Sequence, residues 1–513
     1  MLLVYPPVAK SSEPPAGIAR LAGALTAHSV KHTLLDANLE GLLWLTATTT
    51  GSEPTDRWTA RVSRNRLQTL DALRYAPTYR CIDKYKRAVL DLNRWLQHVT
   101  SSRVSLANYE DAGLSPLRSD ALRRAAELPE TSPFYPYFSA RLPSLIEDER
   151  PKIAGFSISY LSQALPAFSM IGFLKKRFPS LLIVCGGGLI TSWLHRPGWN
   201  NHFAGLVDLF VDGPGEDTML RLAGIKPDAM THSVPDYNKL PLASYLSPGA
   251  ILPYSASHGC LWNRCSFCPE HAEENIFVPI AARAAVEEIN MLTGRLKPRL
   301  IHLLDNALSP ALLQAIIANP PGVPWYGFVR ITEALTDPDY CDALRHAGCV
   351  MLKLGIESGD QHVLDALCKG ISIETASAAL RSLKQAGIGT YVYLLFGTPP
   401  ESESAARKTL AFTAAHAEMI GFLNLAIFSM PIGSCEARQY PTFPFSYGDL
   451  SLYTDFEHPS EWHRKKVRHF LDREFKRCAT IAPIIRRDPP IFTSNHAPFF
   501  LDALRRGDNP PES

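Results

Sequence analysis

The sequence predicts an α/β fold with two successive parallel sheets. Nearly all-apolar segments such as KIAGFSIS and SLLIVCGGG alternate with helical segments, which is typical of strands covered by helices on both faces. A second alternating series begins near residue 251 and contains six candidate strands, enough for a barrel or part-barrel. At 513 residues, the chain is also too long for one ordinary hydrophobic core. We therefore expect two or more domains.

The first domain is predicted to span residues 1–226. Its candidate strands are LLVYPP, HTLLDAN, KIAGFSIS, SLLIVCGGG and DLFVDGPGE, and the intervening IARLAGALTAH and ALPAFSMIGFLKKRF have helical spacing. Residues 46–149 interrupt this alternation and are rich in Arg, Leu and Ala. We expect them to form a mainly helical insertion in a doubly wound sheet.

The second domain, residues 251–435, follows a Pro-rich linker at residues 227–250. Its candidate strands are ILPYSAS, RLIHLLD, VPWYGFV, VMLKLGI, GTYVYLLF and GFLNLAIF. Active sites in such barrels lie at the carboxyl ends of the strands, on the loops that follow them. Residues 436–513 are predicted to form a mainly helical C-terminal extension around EWHRKKVRHFLDREFKR.

The composition of the chain narrows the range of functions that the protein could have. Hydrophobic residues make up 46% and charged residues 20%, and a net charge of +2 gives no reason to expect a nucleic-acid or anionic membrane partner. No stretch approaches the roughly 18 apolar residues that a membrane-spanning helix needs. The start, MLLVYPPVAK, lacks the basic leader of a cleaved signal, so a cytoplasmic protein is expected. Most cysteines are scattered, as reduced and buried thiols would be, at positions 81, 185, 341, 349, 368, 435 and 478.

Three cysteines form an exception within HGCLWNRCSFCPEH, residues 258–271. They follow the first predicted barrel strand, on a loop at the expected active-site mouth. A structural zinc site is one interpretation, because His258 and His271 could supply a fourth ligand. A CxxC redox pair is a second interpretation, although it leaves Cys260 unexplained. A third is a 4Fe-4S cluster held by three thiolates, with one iron left free for a substrate or cofactor.

The loop resembles that of the radical S-adenosylmethionine (SAM) superfamily, whose usual pattern is CxxxCxxC after the first strand of a partial (β/α)6 barrel. Phe267 matches the aromatic residue that the family places beside the SAM adenine. The present loop is one residue longer, because LWNR separates its first two cysteines. The resemblance implies a 4Fe-4S cluster ligated by Cys260, Cys265 and Cys268, and it favours this interpretation over zinc.

The resemblance extends over most of residues 250–430. LLDN, GIESG with the following KG, and FGTPPES are similar to the family's SAM-binding segments, although Pro400 replaces a glycine in the last. A carboxylate at Glu357 would accept hydrogen bonds from the ribose hydroxyls. Arg330 also lies at a strand end near the mouth, where a structural ion pair would explain it equally well. The SAM-binding residues implied are Phe267, Asp305, Asn306, Glu357, Ser358, Lys369, Gly397 and Thr398.

The first domain resembles the N-terminal cobalamin-binding domain, Rossmann-like in fold, that precedes many radical SAM barrels. The resemblance depends on the order and spacing of YPPVAKSSEPPAGIARLAGALTAH with LLDAN, IVCGGGLITS and LFVDGPGEDTMLRL. Glycines at these turns would let a flat ligand lie close to the strand ends. No DxHxxG occurs, so no histidine is offered as a lower axial ligand to cobalt. The cobalamin-binding residues implied are Gly186, Gly187, Gly188, Gly213, Gly215 and Glu216.

The resemblance implies an enzyme that cleaves SAM reductively and, with cobalamin as methyl carrier, transfers a methyl group to an unreactive carbon. An electron donor such as flavodoxin or ferredoxin would be required. Two alternatives stay open: a radical SAM enzyme without cobalamin that carries out another hydrogen-abstraction reaction, and a zinc-stabilised nucleotide-binding or scaffold protein. The sequence identifies neither the substrate, a small molecule or a peptide, nor a catalytic residue that acts on it.

Overall fold

The computed structural model describes residues 1–49, 53–54, 56–227, 232–490 and 496–501. Its first half begins with a strand and alternates between strands and helices, apart from a run of helices in the middle. In chain order the elements are β1 (Leu2–Tyr5), α1 (Ala16–Ala27), β2 (Thr33–Asp36), α2 (Ala37–Ala47), α3 (Arg57–Ala72), α4 (Ile82–Val99), α5 (Ser119–Glu127), α6 (Tyr135–Glu149), β3 (Ile153–Ser157), α7 (Leu161–Arg177), β4 (Leu182–Gly186), α8 (Gly188–His195), β5 (Leu209–Phe210) and α9 (Glu216–Leu222).

The five strands of the first half form one parallel sheet in the order β2-β1-β3-β4-β5. Leu3 of β1 lies opposite Leu34 of β2 and Gly155 of β3. The chain proceeds outward from β1 in both directions, so the switch point of the sheet lies between β1 and β3. The apolar residues of the central strands are buried on both faces, as expected for a doubly wound sheet. The predicted Rossmann-like parallel sheet is confirmed.

Residues 46–149 are mainly helical, as predicted, and contribute α3 to α6. Their apolar side chains share one core with a face of the first sheet, since Leu92 and Phe138 belong to the same buried cluster as Leu2 and Val4. One helix of the segment, α5, packs directly against α7, which covers the sheet. The segment therefore completes the core on this side of the sheet.

The contact between α5 and α7 depends on Gly172. A Cβ atom at this position would lie 2.0 Å from the backbone oxygen of Ala126. Gly172→Ala is therefore expected to lower the free energy of unfolding by about 1–3 kcal/mol, the usual cost of overpacking. Gly294 offers a matched control in an exposed part of its helix, where a Cβ would meet no atom within 4 Å; Gly294→Ala should stabilise by roughly 1 kcal/mol. Urea unfolding of both variants tests these two expectations. Equal unfolding midpoints for Gly172→Ala and Gly294→Ala would contradict them.

The second half alternates strands and helices from residue 251 onward. Its elements up to residue 427 are, in chain order, β6 (Ile251–Tyr254), β7 (Ser257–His258), α10 (Pro269–Ala272), β8 (Val278–Pro279), α11 (Ala282–Leu296), β9 (Leu300–Leu303), α12 (Pro310–Ala318), β10 (Trp325–Val329), α13 (Pro338–His346), β11 (Cys349–Glu357), α14 (Gln361–Ala366), α15 (Ile373–Gln385), β12 (Gly389–Phe396), α16 (Glu403–Ala415) and β13 (Phe422–Ile427).

Six of these strands form a parallel sheet in the order β6-β9-β10-β11-β12-β13, and β7 and β8 pair separately. Strands that follow one another in this series are joined through helices and lie side by side in the sheet, which is the pattern of a (β/α) barrel. β6 and β13 are its two edge strands and do not pair with each other. The predicted part-barrel is confirmed. Because all six strands run the same way, their carboxyl ends meet at one mouth.

The C-terminal extension closes the other end of the part-barrel. Phe499 and Phe500 pack on Phe422, at the amino end of β13, and His496 lies 4.2 Å from the ring of Tyr391. The extension contains α17 (Arg464–Arg473) and α18 (Ala482–Arg487). Two of its strands, β15 (Thr442–Phe443) and β16 (Tyr453–Phe456), form an antiparallel sheet with β14 (Met430–Pro431), which precedes the extension; the sequence did not predict this sheet. None of the helices in the described ranges is long and apolar enough to cross a membrane.

Candidate functional site

The three cysteines of residues 258–271 lie together on the loop between β7 and β8. All three thiols are unpaired and partly buried. Cys265 and Cys268 interact electrostatically with each other and with Cys260. Burial raises the pKa of Cys268 to about 11, and it raises that of Cys265 against the opposing charges of Lys369 and Arg330. The loop thus gathers three sulfur donors at one place.

The extra residue between the first two cysteines is absorbed by a left-handed turn. Asn263 has φ 38°, a conformation that asparagine tolerates better than most residues. Its Nδ2 donates to the carbonyl of Asn275 at 3.0 Å, which ties the turn to the other side of the loop. The loop therefore accommodates the extra residue with a local turn at Asn263, and the cysteines stay near one another.

Trp262 docks the cysteine loop on the segment after β11. Its indole N–H donates to the carbonyl of Cys368 at 2.9 Å, and its ring lies 3.7 Å from the guanidinium of Arg330. Arg330 in turn donates to the backbone carbonyls of Lys369 and Gly370. Arg330, which the sequence places near the mouth, therefore positions the loop through stacking and backbone hydrogen bonds.

Gly370 allows that docking. Its φ of 63° is left-handed, and a Cβ atom there would lie 2.5 Å from the ring of Trp262. A side chain at this position would therefore push the tryptophan away and displace the loop. The KG pair after β11 thus has a packing role that its sequence pattern did not reveal.

The histidines of the loop take no part in the cysteine cluster. The exposed His258 interacts with the charges of Arg20, Glu216 and His232. His271 is exposed. Within the described ranges, no three His, Cys, Asp or Glu side chains converge closely enough to hold a single metal ion. A 4Fe-4S cluster does not require this, because each of its thiolates binds a different iron. Three unpaired thiols on one short loop are the donor set of a 4Fe-4S cluster with one open iron, and the residues present fit that group.

Three of the predicted SAM-binding residues meet at the mouth. Glu357, the last residue of β11, has a left-handed φ of 67°, and its Oε1 accepts from Nζ of Lys369 at 2.9 Å. The same Nζ lies 5.6 Å from the ring centroid of Phe267, directly before Cys268. A carboxylate, an ammonium group and an aromatic ring therefore border the three thiols.

Asp305 and Asn306 hold the start of the cysteine loop. The buried carboxylate of Asp305 accepts from the backbone N–H of Ala256 at 3.0 Å and from the hydroxyl of Ser257. Burial raises the pKa of Asp305 against these hydrogen bonds. Asn306 is exposed, and its Nδ2 donates to the carbonyl of Gly259 at 3.2 Å. Both side chains are thus engaged by the loop itself.

Ser358 directly follows β11, and Gly397 and Thr398 directly follow β12, so all three lie at the carboxyl ends of the strands. The side chain of Ser358 is fully buried and its hydroxyl is 3.2 Å from that of Thr409 on α16. Gly397 has φ 76°, and the fully buried Thr398 uses its carbonyl to accept from Nε2 of His458 at 2.9 Å. The side chains of Ser358 and Thr398 are therefore buried at the strand ends.

Sequence reasoning missed Glu401, which lies within the FGTPPES segment. Its side chain is fully buried and accepts from the backbone N–H of Gly397 and from the indole N–H of Trp462 at 2.8 Å. Burial raises the pKa of Glu401 to about 8. Its partner on the C-terminal extension is 61 positions away, so the short segment carries no signal of the contact.

The residues predicted for cobalamin lie at the carboxyl ends of β4 and β5. Gly187 has φ 103°, and a Cβ there would lie 2.7 Å from the backbone oxygen of Ile158. The glycines are at the turns into α8 and α9, and Glu216 is paired with Nε of Arg20 at 3.2 Å. The six residues therefore share one edge of the sheet, beside the strand that borders the switch point; they are Gly186, Gly187, Gly188, Gly213, Gly215 and Glu216.

His195 joins this edge to the cysteine loop. Its Nε2 lies 3.0 Å from Asp212, and its Nδ1 lies 3.0 Å from the backbone carbonyl of Glu273. Asp212 belongs to the turn after β5, and Glu273 follows α10 directly after the cysteines. The carboxyl edge of the first sheet and the mouth of the part-barrel therefore face each other.

Comparison with known proteins agrees with this geometry. Residues 254–413 match the family model of the Radical SAM superfamily. Two curated relatives are an uncharacterized methyltransferase of Pyrococcus horikoshii, 23% identical over 35% of this chain and 40% of its own length, and the anaerobic magnesium-protoporphyrin IX monomethyl ester cyclase of Rubrivivax gelatinosus, 26% identical over 30% and 28%. The matched region thus spans less than half of either relative.

A solved structure extends the similarity to nearly the whole chain. The cobalamin-dependent S-adenosylmethionine radical enzyme OxsB, with aqua-cobalamin bound, superimposes with a TM-score of 0.58 at 13% identity over 92% of this chain and 66% of its own. At that identity the match shows a shared fold. Residues 254–413 thus carry the match to the Radical SAM superfamily, and nearly the whole chain shares its fold with a cobalamin-dependent enzyme of the radical S-adenosylmethionine type.

Proposed function

We propose that the protein is an enzyme that binds a 4Fe-4S cluster through Cys260, Cys265 and Cys268 and cleaves SAM reductively. The observation that carries this proposal is the set of three unpaired thiols on one loop at the mouth of a parallel part-barrel. When bound, the cluster supplies the electron that splits SAM into methionine and a 5′-deoxyadenosyl radical. A protein reductant such as flavodoxin or ferredoxin would deliver that electron.

The residues at the mouth would bind and orient SAM. The carboxylate of Glu357 can accept hydrogen bonds from ribose hydroxyls, and the ammonium group of Lys369 can bind the SAM carboxylate. Phe267 offers a ring face to the adenine. In the structure Glu357 and Lys369 satisfy each other, so SAM would replace an internal ion pair. Gly397 and Thr398 would contribute backbone, and Asp305, Asn306 and Ser358 would support the loop and the strand ends.

We further propose that residues 1–226 bind cobalamin and that the reaction is methyl transfer to an unreactive carbon. Support comes from the edge that carries Gly186 to Gly188, Gly213, Gly215 and Glu216, because His195 links this edge to the cysteine loop. A corrinoid on that edge would lie beside SAM held by residues 251–435. Two relatives are consistent with this reaction, since one is named as a methyltransferase and the other as cobalamin-dependent.

The test is anaerobic reconstitution of the full chain with iron, sulfide and hydroxocobalamin. We expect a brown protein with about four irons per chain that forms 5′-deoxyadenosine from SAM under dithionite. A colourless protein that retains only zinc would contradict the cluster. Cleavage of SAM by a protein that shows no corrinoid absorbance after gel filtration would support the radical enzyme and contradict the cobalamin-dependent reaction.

A further inference from the structure

The C-terminal extension presents a run of exposed aromatic side chains. Every residue from 441 to 447 is exposed, and this aromatic run carries Phe443, Phe445 and Tyr447, which are 50%, 45% and 77% exposed. Phe443 ends β15, and the other two rings follow it on the loop to β16. Neighbouring apolar side chains that remain in contact with water are typical of a protein interaction site. No part of the proposed SAM or cobalamin sites uses this run.

The aromatic run lies close to the cysteine loop. Phe267, directly before Cys268, packs against a small buried cluster that contains Phe428 and Phe456. Phe456 belongs to β16 and is level with Thr442, the first residue of β15. The aromatic run therefore begins one strand away from the cluster on which Phe267 packs. Electron transfer slows steeply with distance through protein, so a protein that reduces a group on the cysteine loop has to dock near this side of the molecule.

The helix α17 adds positive charge beside the aromatic run. The guanidinium of Arg464, its first residue, lies 4.7 Å from the ring centroid of Phe445 and donates to the backbone carbonyl of Phe428. The side of α17 that points to water carries four exposed basic residues, which we call the basic face. They are Lys465, Lys466, Arg468 and Arg473. The basic face and the aromatic run thus meet at Arg464.

The charges of the basic face are poorly satisfied within the fold. In the part of the chain that the structure describes, no carboxylate forms an ion pair with Lys465, Arg468 or Arg473. Burial lowers the pKa of Arg464, and the like charge of Arg468 one turn away adds to this shift. Lys465 lies in the first turn of the helix, where the helix dipole disfavours a cation. This arrangement costs folding stability, which indicates a role in binding.

The buried cation of the part-barrel differs, because its partners lie inside the fold. Nζ of Lys353 on β11 lies 3.1 Å from Nε2 of His302 on β9. Nδ1 of His302 lies 2.9 Å from Oε1 of Glu13, on the loop after β1. Lys353 and His302 are almost fully buried. These polar groups connect the first half of the chain to the part-barrel and are closed to a partner, whereas the basic face is open to one.

The combined surface fits an acidic protein. Aromatic side chains and arginine are enriched in protein interfaces, and a positive surface steers an acidic partner toward it. A membrane is disfavoured, because the apolar residues of α17 that would insert into lipid are already buried; they are Val467, Phe470 and Leu471. The proposed function needs a protein that delivers one electron. An acidic carrier with an exposed flavin edge meets both requirements, since the flat edge can pack on the aromatic run.

We propose that the aromatic run and the basic face of α17 form the docking surface for an acidic flavoprotein that reduces the cluster. One electron passes from the reduced flavin, which is oxidised, to the cluster, which is reduced, and no covalent bond forms or breaks. The basic face steers the partner, and the aromatic run fixes its position. The proposal rests on the proposed function and deepens it by naming the partner and the surface that binds it.

The test measures binding of an acidic flavodoxin to the reconstituted full chain by isothermal titration calorimetry. We expect saturable binding that weakens as salt is added, because salt screens exposed charges. Reversal of three charges in one variant, Lys465→Glu with Arg468→Glu and Arg473→Glu, should weaken binding at low salt by roughly 10- to 100-fold. The same variant should form 5′-deoxyadenosine slowly with reduced flavodoxin but at the wild-type rate with dithionite, which needs no docking surface.

A second triple variant is the matched control. Arg57→Glu with Lys84→Glu and Arg87→Glu reverses three exposed charges on α3 and α4, so the net charge changes equally. It should bind flavodoxin as the wild type does. Equal weakening by both triple variants would show an effect of net charge alone and would overturn the docking surface.

Tyr447→Ala tests the aromatic run separately. Loss of this ring should weaken flavodoxin binding by roughly 5- to 30-fold, as for an aromatic residue at the centre of an interface. The salt dependence should stay as in the wild type, because no charge is removed. Normal binding by Tyr447→Ala would exclude the aromatic run from the surface.

Two further outcomes would overturn the proposal: a wild type that does not bind flavodoxin, and a single-stranded oligonucleotide that binds the basic face more tightly than flavodoxin does. Iron content and SAM cleavage with dithionite are measured on the same preparations. Flavodoxin binding by a protein that assembles no cluster would contradict the proposed function alone. A working cluster in a protein that does not bind flavodoxin would contradict the docking surface alone.

Discussion

Replacement of Cys260, Cys265 or Cys268 by alanine, one at a time, is expected to abolish SAM cleavage. Each thiol is unpaired, and the loop supplies three sulfur donors close together, so each substitution would open a second iron. The loss should exceed the roughly 10- to 100-fold effect of removing a residue that only supports a metal ligand. Iron analysis, the EPR spectrum of the reduced protein and 5′-deoxyadenosine formation check this result.

Cys81→Ala provides the control for those variants. Cys81 is also free and partly buried, but it lies directly before α4, in the helical segment of the first half. Its replacement should leave iron content and SAM cleavage at wild-type levels. Retention of SAM cleavage by any of the three loop variants would remove that cysteine from the proposed ligand set.

Glu401→Gln is expected to abolish a large pH dependence of stability. Glu401 is fully buried, and burial raises its pKa from 4.5 to about 8. In the unfolded chain it ionises near its ordinary pKa, so folding takes up a proton between these two pH values. Stability due to the neutral carboxyl group is complete below pH 4.5 and is lost as pH rises toward 8, by about 5 kcal/mol in total.

The glutamine variant carries no titratable proton at this position and can still accept from Gly397 and Trp462. Its stability relative to wild type should therefore rise between pH 5 and pH 8.5, as measured by the urea midpoint of the transition that reports on Trp462 fluorescence. Glu403→Gln is the matched control, because Glu403 is an exposed partner of Arg407; it should show a pH-independent effect within about 0.5 kcal/mol. Parallel pH profiles for wild type and Glu401→Gln would contradict the prediction.

The parts of the fold that sequence predicted are those whose signal is local. Both parallel sheets follow from short apolar runs alternating with helical segments, and the part-barrel follows from their order along the chain. The small antiparallel sheet of β14, β15 and β16 was missed because β14 and β15 have two residues each and contain a proline and an aromatic residue, which are equally common in loops.

The candidate site was also predicted only in part. The thiols, Glu357 and Lys369 are visible as short motifs, and the structure brings them to one mouth. Ser358 and Thr398 are in matching motifs, yet their side chains pack inward, because a motif fixes a position on the chain and not the direction of the side chain. Whether these residues bind SAM stays a prediction.

The long-range contacts of the site could not be predicted from the sequence. Glu401 finds its partner Trp462 on the C-terminal extension, and Arg330 stacks on Trp262 in the cysteine loop. Each pair joins residues from different elements, so no periodicity or spacing within one segment could indicate it. The left-handed turn at Asn263, between the first two cysteines, is different. It is a local feature, and asparagine is a residue type that favours such turns.

The contact between Glu13 and His302 also limits how this protein can be taken apart. It joins two residues 289 positions apart, from the first loop of the chain to a strand of the part-barrel. A barrel excised at residue 251 would keep His302 and Lys353 but lose the carboxylate that pairs them, and each buried polar group left unpaired costs about 1–3 kcal/mol. A chimera that joins this barrel to another first domain would inherit the same deficit unless the new domain carried an acid in that loop. The two halves are therefore separate in sequence but depend on each other for stability, because a substitution in one half restricts which residues the other half can tolerate.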